Sequence, residues 1–99
     1  MVLHIVSWNF KPELTQEQRD ALRPEIIARL TALKDKIPFL EDIQVCCPPL
    51  DSSNCDLVLY SKVRQVSDLP LYQNHPDHQA VIPLIQANFC DRRCCDIQF

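Results

Sequence analysis

Glycine is absent from all 99 positions of this chain, and that absence removes whole classes of fold. Loops that cradle nucleotide phosphates need glycine where backbone and ligand meet, so Walker-type and dinucleotide-binding architectures are excluded. Turns that demand a positive φ lose their usual residue. They must be made from the eight prolines together with Asn, Asp and Ser.

A chain of this length is expected to form one domain, residues 1–99, burying roughly two-thirds of the surface its unfolded form exposes. The net charge is -3 and the pI about 5.5. Nucleic-acid binding needs concentrated Lys and Arg, so no nucleic-acid partner is expected. No stretch approaches the ~20 apolar residues of a membrane span. The opening MVLHIVSWNF has neither a basic start nor a small-residue cleavage site, and a cytoplasmic protein is the expectation.

Six cysteines require an explanation. They fall as Cys46-Cys47, Cys55, Cys90 and Cys94-Cys95, without the CxxC spacing of a zinc knuckle or a thioredoxin site. Adjacent cysteines on a strand point to opposite faces, so neither doublet serves one site by itself. Reduced thiols that pack as small hydrophobes are the expectation.

Residues 2 to 10 alternate as a strand. Val2, His4, Val6, Trp8 and Phe10 share one face, and Leu3, Ile5, Ser7 and Asn9 the other. Lys11-Pro12 ends it. Thr15 followed by Gln18 is a capping-box signature with Glu17 in the first turn. Leu22, Ile26, Ile27, Leu30, Leu33 and Ile37 then recur at helical spacing up to Pro38. Pro24 lies inside that run and predicts two segments or a bend near Arg23. A second strand is expected at about 40 to 47, a polar loop over 50–54, and a third strand over 55–65. In the third, Leu57, Leu59, Ser61 and Val63 oppose Val58 and Tyr60. Ser67-Asp68 opens a short helix and His75-Pro76 restarts it, since proline suits a first helical position. Pro83 suggests a further bend, and a last strand follows from about 89 to 98.

The order β-α-β-β-α-β is the ferredoxin-like α+β arrangement, a four-stranded antiparallel sheet with helices on one face. The first and third strands carry apolar residues on both faces, which leaves an exposed patch too large for a monomer. Stacking two copies sheet on sheet, as a dimeric α+β barrel, removes it. A homodimer is therefore expected.

His4-Ile5-Val6-x-Trp8-x-Phe10-Lys11 resembles the first strand of the stress-responsive dimeric A/B barrel proteins. So does Ile37-Pro38-x-x-Glu41-x-Ile43 before the second strand. The most specific likeness is Tyr72-x-x-His75-Pro76-x-His78-Gln79, with Asp91-Arg92 opening the last strand. Family members often carry glycine where this chain has Phe39 and Asn54-Cys55. One plant branch of the family resembles polyketide cyclases, which close a poly-β-keto chain by an aldol reaction. The resemblance implies acid-base roles for Tyr72 and His78, with His4 lining the same pocket; another branch is stress-induced and has no established catalysis.

The expected site therefore has His78 as base, Tyr72 as donor and His4 in support, with His75 and Trp8 as substrate contacts. Histidine titrates near neutrality and suits proton removal between two carbonyls; a tyrosine hydroxyl in an apolar pocket suits stabilisation of the resulting oxyanion. Each residue also has a structural reading: His75 as a helix cap, Tyr72 as a core tyrosine, His4 as a satisfied core histidine. His75-x-x-His78 with Asp77 offers metal-ligand types, but i, i+3 spacing across a proline is weak for a shared ion and no further ligand is evident nearby, so neither metal nor cofactor is expected. Arg92-Arg93 reads as a solvated edge or a dimer-interface ion pair. Two functions remain open: a cofactor-independent cyclase- or lyase-like enzyme acting on a small hydrophobic carbonyl compound, and a non-catalytic stress-response or ligand-binding dimer. Cofactor-free oxygen-dependent monooxygenation shares the superfold but has no motif support here.

Overall fold

The period-two pattern of the first and third strands sets the architecture. In the computed structural model, which describes residues 1–99, β1 (Val2–Phe10) runs antiparallel to both β3 (Leu57–Val63) and β4 (Phe89–Gln98). Strand β2 (Asp42–Cys46) pairs with β3, giving the order β2-β3-β1-β4. This is the expected ferredoxin-like sheet. The chain enters β3 through a ladder extension at the loop end, where Asp56 N–H donates to the Trp8 carbonyl and its carboxylate accepts from Phe10 N–H, both at 2.9 Å.

Alternate residues reach a common core. Val2, Val6, Trp8 and Phe10 of β1 are buried, as are Leu57, Leu59, Ser61 and Val63 of β3. Over them lies α1 (Gln16–Thr31), which begins as its sequence requires: Thr15 Oγ accepts from Gln18 N–H, and Gln18 Oε1 accepts from Thr15 N–H. Ile26 and Leu30 form its buried stripe, continued by Leu33 of α2 (Leu33–Lys36), then Ile37 and Leu40.

The helix does not divide at Pro24. It runs through that residue, and the two segments part at Ala32, which keeps right-handed helical angles. Pro24 faces solvent, where water can take the Asp20 carbonyl that proline leaves without a donor. Leu22 and Ile26 pack against the core on either side of it and hold the helix on course.

The second helical region falls into three short pieces: α3 (Asp68–Gln73), α4 (Pro76–Gln79) and α5 (Ile82–Asn88). Proline stands in the first turn of both α4 and α5, the position where its missing N–H costs nothing. Arg29 ties this region to α1 by donating to the Ala80 carbonyl at 3.0 Å.

A bulge interrupts the β1–β4 ladder between Ser7 and Asn9. Across from it Asp91 adopts φ 56, a conformation usually left to glycine or Asn/Asp. The Asn9 side chain donates to its carboxylate at 3.2 Å. No helix is long and apolar enough to cross a membrane.

Candidate active site

Where α3 to α5 approach the sheet, the side chains leave a cavity of about 410 Å³. Its floor is His4, Val6 and Trp8 of β1 with Leu59 of β3; Leu69, Tyr72, His78, Ile82 and Ile85 wall it, and Phe89 to Arg92 with Asp96 close the β4 side.

Four of the five residues singled out in the sequence line this space: His4, Trp8, Tyr72 and His78. Three of them, His4, Tyr72 and His78, are ring neighbours. The Tyr72 ring meets the His78 ring at 4.6 Å between centroids and meets the His4 ring edge-on at 5.9 Å. The fifth, His75, is not among the lining residues. It caps α4, its Nδ1 accepting from Asp77 N–H at 3.2 Å, and its ring packs edge-on against Phe39 at 6.4 Å.

The break between α3 and α4 sets the state of His78. It leaves the Gln73 carbonyl free to accept from His78 Nδ1, at 3.0 Å, and from the Gln79 side chain, at 2.8 Å. A carbonyl only accepts, so Nδ1 carries the proton and Nε2 is left as the basic nitrogen. Burial drives the His78 pKa below the ordinary 6.5; Coulomb repulsion from Arg92 and the neighbouring His4 and His75 adds to the shift, and the bond to Gln73 opposes it. His78 is accordingly neutral at pH 7 and able to take a proton.

Tyr72 is buried, and burial raises its phenol to about 12. Ser61 is near enough to temper that shift, but its hydroxyl donates to the His4 carbonyl at 3.3 Å. The Tyr72 hydroxyl is left without a partner in the protein. A buried donor in that condition costs about 1–3 kcal/mol, which an acceptor on a bound ligand would recover. It is a proton donor, not a base.

His4 is fixed from β4. Its Nδ1 meets the Asp96 carboxylate at 2.5 Å, and Cys94 Sγ lies 3.6 Å from the same nitrogen. Partial burial and the Asp96 carboxylate push the Cys94 thiol up, so it is not an activated nucleophile. Asp96 and the Gln73 carbonyl escaped the sequence reading. The first needed the register His4↔Asp96, which depends on the bulge; the second is a backbone group and carries no residue signature.

Helices packed over one face of a β2-β3-β1-β4 antiparallel sheet define a ferredoxin-like α+β protein. The family model of the stress responsive A/B barrel domain matches residues 2–99, and the chain belongs to that family. It is similar to a dimeric protein of unknown function and ferredoxin-like fold from Bacteroides fragilis, with 24% identity, 99% of this chain and 95% of that one covered, and a TM-score of 0.91. A dimeric ferredoxin-like protein of unknown function from Thermobifida fusca follows with 23% identity, coverage of 99% and 90%, and a TM-score of 0.80. The hydroxynitrile lyase of Passiflora edulis shares 18% identity over 97% and 90% of the two chains, with a TM-score of 0.75. At these identities the likeness is one of fold. No curated protein matches the chain in sequence.

Proposed function

We propose that residues 1–99 act as a single-domain, cofactor-independent acid-base enzyme, cyclase- or lyase-like, on a small hydrophobic carbonyl compound. The observation that carries this reading is the pairing of a neutral His78, with Nε2 free, and a buried Tyr72 hydroxyl that lacks a partner, on the wall of one apolar cavity. His78 Nε2 would take the acidic proton between two carbonyls. Tyr72 would donate to the carbonyl oxygen as it becomes an enolate, where a preorganised donor contributes most. The hydroxyl is closed off from solvent, so a ligand acceptor reaches it as the wall adjusts on binding. Trp8 supplies flat apolar contact, and His4, held by Asp96, supports the Tyr72 ring.

The same reading includes a homodimer. Leu3 stands between Lys62 and Ile97, and Ile5 between Tyr60 and Cys95, on the sheet face that no helix covers. A second copy stacked there removes that surface from water, leaving both cavities on the outer sides.

The test is binding. Aromatic and poly-β-keto compounds are screened by thermal shift against the wild type and His78→Ala, since a ligand of the native state raises its melting temperature. A shift that disappears in His78→Ala supports the site. A screen without any shift, on a variant as stable as the wild type, gives the chain to the rival function, a non-catalytic stress-response or ligand-binding dimer.

A further inference from the structure

Beside the acid-base pair, the sheet assembles a second group of reactive side chains. Asp96 lies directly opposite His4 in the β1–β4 ladder, and Cys94, paired with Val6, lies two residues away on the same face. Three donors of different chemistry, an imidazole nitrogen, a thiol sulfur and a carboxylate oxygen, therefore lie within 4.8 Å of one another. We propose that His4, Cys94 and Asp96 bind a divalent transition-metal ion, with zinc as the best match, at the β4 side of the cavity.

The distances suit a tetrahedral ion. Zinc bonds of about 2.3 Å to sulfur and about 2.0–2.1 Å to nitrogen and oxygen place neighbouring donors about 3.3–3.6 Å apart. Cys94 Sγ is 3.6 Å from His4 Nδ1 and 3.8 Å from the Asp96 oxygen. Only the His4–Asp96 separation, 2.5 Å, is that of a hydrogen bond. It must widen by about 0.8 Å to admit the ion, a change within the reach of rotation of the Asp96 side chain, which stands at an exposed strand position. The thiolate and carboxylate charges balance the ion's two; the thiol proton passes to solvent as the sulfur–metal bond forms, and the proton that His4 Nδ1 shares with Asp96 leaves that nitrogen, the neutral ring keeping its proton on Nε2. A sulfur and an imidazole in a three-ligand set select against magnesium and calcium, which take oxygen.

The strands place this group for access as well as binding. The His4 side chain is 15% exposed and that of Asp96 42%, and both also line the cavity. With three protein ligands, a tetrahedral ion keeps its fourth position for water or for an oxygen of a cavity ligand. The face is the one opposite Ile5 and Cys95, so the stacked dimer does not cover it. The metal site and the His78–Tyr72 pair share only the region of His4, and each stands without the other.

Cobalt(II) titration of the reduced, metal-free protein tests the site, because thiolate ligation gives cobalt a charge-transfer band that oxygen and nitrogen ligands do not. The expected result is saturation at one ion per chain, with that band and the strong ligand-field absorption of four-coordination; zinc then displaces the cobalt. Cys94→Ser is expected to abolish the band. Asp96→Asn should weaken zinc by at least ~10–100-fold, since even outer-sphere partners of a metal are worth that much. Cys95→Ser, whose side chain faces the other side of the sheet, should change neither. Circular dichroism of each variant confirms the fold. Absence of the band in the wild type, or its persistence in Cys94→Ser, overturns the proposal. His78→Ala should leave the titration unaltered, so failure of the acid-base reading and failure of this one are read separately.

Discussion

The two faces of the sheet are made by alternate residues of the same strands, yet they are finished in different ways. On the covered face, Val2, Val6 and Phe10 with Leu57, Leu59 and Val63 meet the stripe of α1 and disappear from solvent. On the open face, Leu3, Ile5, Val58 and Tyr60 stay half-buried and Ile97 is exposed. The chain completes one face by itself and leaves the other incomplete. The difference also locates the chemistry. The cavity opens on the covered side, where the broken helical region α3 to α5 covers the sheet less evenly than α1 does.

Four substitutions test that contrast. The largest effect is expected inside the covered face, where Leu57→Ala should cost about 2–5 kcal/mol, the range for deleting a buried leucine side chain. Chemical denaturation measures it; a loss under ~1 kcal/mol would mean that this face is not the core. Next is Ile5→Lys on the open face. It should weaken self-association by at least ~100-fold, equal to about 2.7 kcal/mol, while secondary structure survives. Sedimentation across a concentration series reads the effect, and an unchanged dimer, or a wild type that is already monomeric, breaks the comparison.

Tyr72→Phe is smaller and runs the other way. Removing a buried hydroxyl that has no partner should leave the free protein as stable as before, or raise its stability by ~1 kcal/mol. At the same time the variant should lose ligand affinity. A clear destabilisation in the thermal melt would show that the hydroxyl is bonded within the protein. The smallest effect concerns pH. The folded-state pKa of His78 is depressed below 6.5, so in the window just under 6.5 the unfolded chain binds a proton that the folded chain refuses. This contribution to stability is complete above about 6.5 and is lost as pH falls through the window. Urea denaturation across pH should therefore show a steeper acid loss for the wild type than for His78→Gln. Parallel curves would place His78 in solvent.

Much of this arrangement is legible in the sequence. The period-two runs at residues 2–10 and 57–63 assign every side chain of β1 and β3 to its face, and the Thr15–Gln18 box starts α1 where it begins. Tyr72 and His78 came together because His75-Pro76 restarts a helix between them. Two things were not legible. Pro24 is a helix breaker by local rule, but packing of Leu22 and Ile26 on either side overrides it. The role of Asp96 depends on which residue it faces across the ladder, and that depends on a bulge whose signal is a single aspartate at positive φ.

A chain with eight prolines and no glycine differs from most in the conformations it lacks when unfolded. Wherever the native angles tolerate a side chain, avoiding glycine narrows the denatured ensemble and favours folding by about 0.4–1 kcal/mol per position. Prolines in the first turns of α4 and α5 act in the same direction. The three short helices over the cavity thus need fewer contacts to remain ordered than their length suggests. Part of what holds the cavity wall in place is the freedom its chain never had.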